Sequence, residues 1–214
     1  AFSMTPSRWQ LETVRRDTEL VLCRVRAPAA PEPKLAKTVA SDPPGAVSVE
    51  RLEHEYALRD ELDAQWAVRP LALAHHDGRL LLLLADPGGE PLDNFIEQPM
   101  ETGFFLRIAS ALAAALAQLH QRGIVHKDIK PANVLVDADT GAVRLMGFGI
   151  ASRQPRERQA LARPEDVIGT LAYMAPEQTG RMNRSIDSRS DLYALGVSFY
   201  QMLTGKLPFT ASDS

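Results

Sequence analysis

The chain has 214 residues, 45% of them hydrophobic, and a net charge of −3 at pH 7. This length fits one domain or two small lobes, and the apolar share is sufficient for a buried core. The charge excludes a global attraction to nucleic acid or membrane surfaces. The single cysteine excludes an internal disulfide framework and indicates a reducing, cytoplasmic location.

The N-terminus and the apolar runs indicate neither secretion nor membrane insertion. No secretory signal precedes the first predicted strand, and Ala1 to Ser3 before Met4 resemble the remnant of a tag. Residues 1–8 are therefore treated as an extension. The longest apolar run, Leu80 to Ala85, is far shorter than a membrane span and fits a buried strand.

The first part of the chain is predicted to be mainly β-structure. Strands are expected at Trp9 to Val14, Glu19 to Val25, Lys34 to Ala40, Leu71 to His75 and Arg79 to Leu84. Asp77-Gly78 is typical of a hairpin turn between the last two strands. The spacing of Leu52, Tyr56 and Leu62 predicts a helix over Val47 to Asp63 with one apolar side.

The second part of the chain is predicted to be mainly helical, and Pro87-Gly88-Gly89 is the best candidate for the boundary between the two parts. The elements expected there are a helix over Phe104 to Gln121 that ends before Gly123, a hairpin of Val134 to Val136 with Val143 to Met146, an exposed Arg-rich loop over Ser152 to Glu165, and a helix over Asp191 to Leu203.

One segment concentrates residues with catalytic potential: His126-Lys127-Asp128-Ile129-Lys130-Pro131-Ala132-Asn133. In phosphoryl transfer an Asp can accept the proton of a substrate hydroxyl, and an Asn five residues later can hold a metal ion. Lys130, between Asp128 and Asn133, can neutralise the transferring phosphoryl group. Alone, this segment is equally compatible with a solvated charged turn.

Four further segments follow in order and at suitable spacing. They are Gly147-Phe148-Gly149, then Gly169-Thr170-Leu171-Ala172-Tyr173-Met174-Ala175-Pro176-Glu177, then Asp191-Leu192-Tyr193-Ala194-Leu195-Gly196, and finally Leu203-Thr204-Gly205-Lys206-Leu207-Pro208-Phe209. Together with the loop above they resemble the Ser/Thr protein kinase family. The stretch Gln178 to Asp191 is similar to kinase domains that open large bacterial multidomain signalling proteins.

This resemblance implies an α+β, protein-kinase-like two-lobed fold. The β-rich N-lobe would cover residues 9–86, and a truncated helical C-lobe, lacking the family's last helices, would cover residues 87–214. The resemblance also implies site roles in the C-lobe. Asp128 would be the catalytic base, Lys130 would offset charge, Asn133 would bind the metal, and Thr170 would hold the catalytic loop.

In the N-lobe the resemblance implies a nucleotide site. Lys37 aligns with the strand lysine that grips nucleotide phosphates, and Glu55 aligns with its ion-pair partner; a lone Lys and a lone Glu are as often surface charges. The backbone expected to hydrogen-bond the adenine of ATP is that of Leu84, Ala85, Asp86 and Pro87.

The chain departs from the family pattern at both ends of this site. Gly147 occupies the position of the metal-binding Asp and offers no side-chain oxygen. The turn Val14 to Glu19 contains no glycine, although close approach of backbone amides to phosphates favours glycine there. If the rest of the site is intact, Gly147→Asp is expected to restore metal-dependent nucleotide binding.

Two further departures concern regulation. Arg59 stands one turn after Glu55, where the family places an apolar residue against Phe148. Lys127 replaces an Arg whose bidentate fork would clamp a phosphorylated activation loop, so phospho-switching by that route is not expected. Nearby arginines, among them Arg153, are more typical of a solvated loop than of a docking site for an acidic partner.

The leading hypothesis is a pseudokinase, a regulatory or interaction module with weak ATP binding and without the usual magnesium dependence. Its partners would be other domains of a parent signalling protein or a separate protein, with self-association through apolar surface that the truncated lobe leaves exposed. The alternatives are a slow Ser/Thr kinase, with Asn133 holding a single metal, and a purely structural docking module.

Overall fold

The computed structural model of the chain describes residues 9–26, 32–153, 171–180 and 185–209. The chain divides into two compact units. Unit 1 comprises residues 1–64 and 68–87, and unit 2 comprises residues 65–67 and 88–214. Each unit contains its own strands and at least one α-helix.

Unit 1 is built on a five-stranded antiparallel sheet. Its strands are β1 (Gln10–Arg16), β2 (Leu20–Arg26), β3 (Lys34–Val39), β4 (Pro70–His76) and β5 (Arg79–Ala85). Their order across the sheet is β1-β2-β3-β5-β4. Each strand end lies within two residues of its predicted position, because the apolar runs and the turn residues bound these strands closely.

The β4–β5 turn and the central strands show why this sheet forms. Asp77 and Gly78 have φ values of 49° and 76°, as a tight hairpin turn requires, which confirms the predicted turn. The side chains from Leu81 to Leu84 are all buried, as are Leu35 and Ala36 of the neighbouring strand β3. Burial of this continuous apolar run supplies the core of unit 1.

Helix α1 (Ala46–Ala57) is shorter than predicted. Its last turn tightens into i→i+3 hydrogen bonds from Leu58 to the Glu55 carbonyl and from Arg59 to the Tyr56 carbonyl, which end the helix. Leu62 is buried as expected but lies beyond the helix. Arg59 lies in the turn, with its guanidinium 4.5 Å from the centre of the Tyr56 ring.

Unit 2 is organised by two long helices, α2 (Thr102–Gln121) and α3 (Ser188–Thr204). They pack against each other, with the Phe105 and Phe199 rings edge to face at 5.7 Å. One side of α2 is buried at helical spacing: Ile108, Ala109, Leu112, Ala115, Leu116 and Leu119. By length and composition α2 could cross a membrane, but a core helix has the same character.

Both helices begin at acidic capping residues that the apolar pattern alone does not indicate. The Glu101 carboxylate accepts the N–H groups of Gly103 and Phe104, each at 2.8 Å, and these bonds lower its pKa. The Asp187 carboxylate accepts the Arg189 N–H at 2.8 Å, so α3 starts before the predicted Asp191.

Unit 2 also contains short strands. They are β6 (Glu90–Pro91), β7 (Ile124–Val125), β8 (Val134–Val136), β9 (Val143–Leu145) and β10 (Ser152–Arg153). The predicted hairpin is confirmed, because β8 pairs with β9 in antiparallel register. Strands β6, β7 and β10 are two residues long, too short to show a periodic pattern.

The β-rich first unit and the helical second unit confirm the predicted α+β class. The exposed Arg-rich loop was predicted to begin at Ser152, but Ser152 and Arg153 form strand β10 and pair with Val125 and Ile124 of β7. The remainder of that loop and Thr170 lie outside the described residues.

Candidate active site

The loop between β7 and β8 carries the predicted catalytic residues and is held by a buried carboxylate from α3. Asp191 is 1% exposed. Its carboxylate accepts the backbone N–H groups of His126 at 2.8 Å and Lys127 at 2.7 Å. His120 Nε2 lies 2.8 Å from the same carboxylate. Charge-assisted hydrogen bonds to this buried carboxylate therefore fix the start of the loop.

Lys127 completes this anchoring through its backbone. Its φ of 69° is unusual for a residue with a side chain, and its carbonyl accepts a hydrogen bond from Gln178 Nε2 at 2.8 Å. The backbone rather than a side-chain fork thus connects the loop to the segment that follows residue 170. Glu177, in that segment, accepts a hydrogen bond from the Ser190 hydroxyl at 2.7 Å.

Asp128, Lys130 and Asn133 are brought together as predicted. One carboxylate oxygen of Asp128, Oδ2, accepts from Asn133 Nδ2 at 2.7 Å and lies 3.1 Å from Lys130 Nζ. Asn133 Nδ2 also donates to the Asp128 carbonyl at 2.8 Å. The other carboxylate oxygen, Oδ1, is buried and has no hydrogen-bond partner among the described residues. This oxygen could accept a hydrogen bond from a hydroxyl group that reached it.

Gly147 lies directly against Asn133. Its φ is 86°, and a Cβ atom at this position would lie 2.7 Å from Asn133 Cγ and Oδ1. Such distances require one group to move, and the Asn133 amide is held by its bonds to Asp128. A carboxylate at position 147 can therefore enter only when the Asn133 side chain leaves its present position.

Met146 and Phe148, on either side of Gly147, are fixed to the catalytic loop. The Met146 N–H donates to the Asn133 carbonyl at 2.9 Å. His126 Nε2 lies 3.0 Å from the Met146 carbonyl. The Phe148 ring is fully buried, and its centroid is 4.7 Å from that of His126. The position that lacks the carboxylate is thus part of an ordered, packed arrangement.

The residues present do not fit the magnesium site that the family pattern implies. No group of three or more His, Cys, Asp or Glu side chains within the described ranges could hold a metal ion. Magnesium in phosphoryl-transfer sites is held by one or two carboxylates together with phosphate oxygens. Here Gly147 supplies no side-chain oxygen, and Asn133 offers only a neutral amide oxygen, since its amide nitrogen donates to Asp128.

In unit 1, Lys37 on β3 and Glu55 on α1 form a buried ion pair. Lys37 Nζ lies 2.9 Å from Glu55 Oε1 and 2.7 Å from Oε2. The two residues are only 5% and 2% exposed. They are therefore not the surface charges that lone Lys and Glu residues usually are, and the pair has the geometry expected of a phosphate-gripping lysine and its partner.

The glycine-free turn between β1 and β2 is closed by Asp17. The Asp17 Oδ1 atom accepts the N–H groups of Glu19 at 2.9 Å and Leu20 at 2.7 Å, and Oδ2 pairs with Arg15 Nη1 at 2.8 Å. Burial raises the pKa of Asp17, but these hydrogen bonds and Arg15 outweigh it, so the pKa lies below its ordinary value. The turn thus contains a carboxylate that stays ionised at neutral pH.

A second contact ties the same turn to helix α1. Arg51 Nη1 lies 2.5 Å and 2.7 Å from the two carboxylate oxygens of Glu19, and the Ser48 hydroxyl donates to Glu19 at 3.1 Å. Two side chains of α1, the helix that carries Glu55, therefore bond to this turn.

The predicted adenine-binding segment, Leu84 to Pro87, follows the buried end of β5. The Ala85 N–H donates to the Arg69 carbonyl at 2.9 Å, whereas the Asp86 N–H makes only a 3.4 Å contact with the Pro33 carbonyl. Pro87 has no N–H group. Because the hydrogen bond of the Asp86 N–H is the longer of the two, this group could most readily donate to a ligand instead. The assignment of this segment stays a prediction.

Three of the contacts described above were not predicted from the sequence: the Asp191 carboxylate on the catalytic loop, the Asp17 carboxylate in the turn, and the Asn133 amide against Gly147. Asp17 had a usable signal, because an Asp in a short turn commonly accepts N–H groups two or three residues later. The other two join residues far apart in sequence, and no local pattern indicates them.

Comparison with known proteins agrees with this geometry. The family model described as protein kinase domain matches residues 34–214. The chain is 38% identical over 138 residues to the serine/threonine-protein kinase Pkn1 of Myxococcus xanthus and 39% identical over 145 residues to pkn3 of the same organism. It is 41% identical over 117 residues to the serine/threonine-protein kinase PknB of Mycobacterium tuberculosis.

These alignments cover 61%, 64% and 55% of this chain, respectively. They cover only 19%, 26% and 18% of the three relatives. The chain therefore spans about a quarter or less of the length of these curated relatives.

Proposed function

The chain belongs to the protein kinase domain family, and we propose that it is a kinase-like regulatory domain whose phosphoryl transfer is impaired. The observation that carries this proposal is Gly147. It stands where the family places a metal-binding carboxylate, and Asn133 fills the space that a side chain would need. The family uses ATP, typically with magnesium, and this chain lacks one half of the usual metal site.

The expected effect on catalysis is large. In phosphoryl transfer the metal bridges phosphate oxygens and offsets the charge that develops in the transition state. A thousandfold loss of rate corresponds to about 4 kcal/mol of transition-state stabilisation. We expect at least this loss, because the loop residues Asp128 and Lys130 supply a base and a positive charge but no second metal ligand.

The proposed role is regulation through binding, inside a larger bacterial signalling protein in the cytoplasm. Three features support it. The curated relatives are bacterial kinases several times the length of the matched segment. The buried Lys37–Glu55 pair could hold a nucleotide phosphate. Unit 2 exposes large apolar side chains on α3 that a partner protein or a second copy of the chain could cover: Leu192, Tyr200 and Leu203.

A thermal-shift titration tests the metal dependence of this proposal. The melting temperature of the full chain is measured with increasing ATP, with and without magnesium. We expect a small, magnesium-independent rise, because Lys37 and the backbone of residues 84–87 would contact the nucleotide without a metal. A stabilisation that requires magnesium would contradict the proposal, and a flat response to every nucleotide would favour a docking module instead.

A slow Ser/Thr kinase is the second candidate function, and two observations favour it. The Asp128 Oδ1 atom is free of described hydrogen-bond partners and could accept a hydroxyl proton. The Lys37–Glu55 ion pair, which kinase activity requires, is formed. In this case Asn133 would have to turn its amide oxygen to a single metal ion.

A further inference from the structure

The turn between β1 and β2 contains a negatively charged group where a kinase has glycines. Asp17 directs its carboxylate inward onto the N–H groups of Glu19 and Leu20, and Arg15 pairs with the same carboxylate. The backbone N–H of Asp17 donates to the Leu20 carbonyl at 3.0 Å. The turn is therefore closed around an internal anion.

Phosphate-binding turns have the opposite arrangement. They leave successive backbone N–H groups unpaired so that the N–H dipoles face the incoming phosphate. In kinases the turn between the first two strands covers the phosphates of ATP. In this chain the N–H groups of Glu19 and Leu20 are already bonded to a carboxylate, and an arriving phosphate would meet a like charge.

We propose that the Asp17 carboxylate takes the place of a nucleotide phosphate in this turn, so that unit 1 accepts adenosine in preference to ATP. This inference rests on the proposed nucleotide binding by unit 1 and names the ligand class that the site selects. Lys37 pairs with Glu55 at 2.7 Å and offers one positive charge to a phosphate. Arg51 likewise faces Glu19. In this turn Asp17 and Glu19 thus offset the guanidinium charges of Arg15 and Arg51.

The chain provides a matched control in unit 2. In the β8–β9 turn the Asp137 Oδ1 atom accepts the N–H groups of Asp139 at 3.0 Å and Thr140 at 3.1 Å. Its pKa is lowered by the hydrogen bonds from Thr140, with a smaller effect from Asp139. Asp137→Asn therefore removes the same charge from the same kind of turn at a place remote in sequence from the proposed nucleotide site.

The experiment measures dissociation constants of adenosine, AMP, ADP and ATP by isothermal calorimetry, without magnesium, for the full chain. The variants are Asp17→Asn, Asp17→Ser and Asp137→Asn. Asn and Ser side-chain oxygens can still accept N–H bonds in such a turn, so the hairpin keeps its geometry while the charge is removed. Circular dichroism checks that each variant is folded. If Asp17→Asn does not fold, the comparison is made with Asp17→Ser.

We expect the wild-type chain to bind adenosine at least as tightly as ATP. In the Asp17 variants the affinity for ATP relative to adenosine should rise about tenfold, which corresponds to ~1.4 kcal/mol. Asp137→Asn should leave the ratio unchanged.

An unchanged ratio in the Asp17 variants would overturn the inference, as would a wild-type chain that already prefers ATP. Absence of binding by every ligand to every variant would overturn it too, because the carboxylate would then not be what excludes phosphate. Phosphate transfer is measured on the same samples with magnesium and ATP. Transfer by the wild-type chain would contradict the proposed function. The inference about Asp17 would still be decided by the ratio of ATP affinity to adenosine affinity.

Discussion

Gly147 combines two properties that together restrict this position to glycine. Its φ of 86° lies in the left-handed region, and a Cβ there would lie within 2.8 Å of three side-chain atoms of Asn133. Residues other than glycine pay roughly 1–2 kcal/mol in the left-handed region. Any side chain at position 147, a carboxylate included, would therefore require an unfavourable backbone conformation and a movement of Asn133.

Gly147→Ala should therefore destabilise the chain more than the backbone conformation alone requires. Displacing Asn133 would break its two hydrogen bonds to Asp128, each worth about 0.5–1.5 kcal/mol. We expect a total loss of about 2–5 kcal/mol in the free energy of unfolding when this is added to the backbone cost. Urea denaturation of the two proteins measures the difference.

Gly123 provides the matched control for this substitution. Its φ is 72°, and a Cβ there would meet no atom within 4 Å. Gly123→Ala should cost only the backbone conformation, about 1–2 kcal/mol. Equal losses for the two variants would show that Asn133 gives way without cost and that a side chain at position 147 is tolerated.

Among the elements, strand β3 and helix α1 are joined by the buried Lys37–Glu55 ion pair. Both side chains are almost inaccessible to solvent, at 7% and 2%. Removal of one partner from a buried pair leaves a desolvated charge and commonly costs about 3–5 kcal/mol. We therefore expect Glu55→Gln to lower the free energy of unfolding by about that amount.

Two comparisons make this measurement specific to the buried pair. Glu12→Gln removes a carboxylate from an exposed pair with Arg26 and should change stability by less than about 1 kcal/mol. The double variant Lys37→Met with Glu55→Leu should recover most of the loss, because it removes both charges. A Glu55→Gln variant as stable as Glu12→Gln would show that burial of the pair does not determine its energy.

The elements also show which features local pattern can predict. The strands of the sheet in unit 1 and the long helices were predicted because their apolar periodicity is strong. Apolar periodicity does not predict the start of α3, because the helix begins at Asp187, whose carboxylate accepts one backbone N–H group. The end of α1 was placed too late, since Leu62 continues the apolar spacing but packs from beyond the helix.

At the scale of the whole molecule, family membership follows from the order of short motifs, and the family model covering residues 34–214 shows it. The candidate site was only partly predictable. Asp128, Lys130 and Asn133 share one loop, so their proximity follows from their spacing. The anchoring of that loop by Asp191 and the filling of the Gly147 site by Asn133 depend on long-range packing, which the spacing of residues does not encode.

We propose that this kinase domain has lost efficient phosphoryl transfer because position 147 carries no carboxylate. A radiolabelled transfer assay with magnesium, γ-labelled ATP and a general protein acceptor tests it most directly, with Asp128→Asn as the matched variant. We expect wild-type and Asp128→Asn proteins to incorporate equal, background amounts of label. Transfer by the wild-type chain that Asp128→Asn abolishes would instead show that the domain is a slow Ser/Thr kinase.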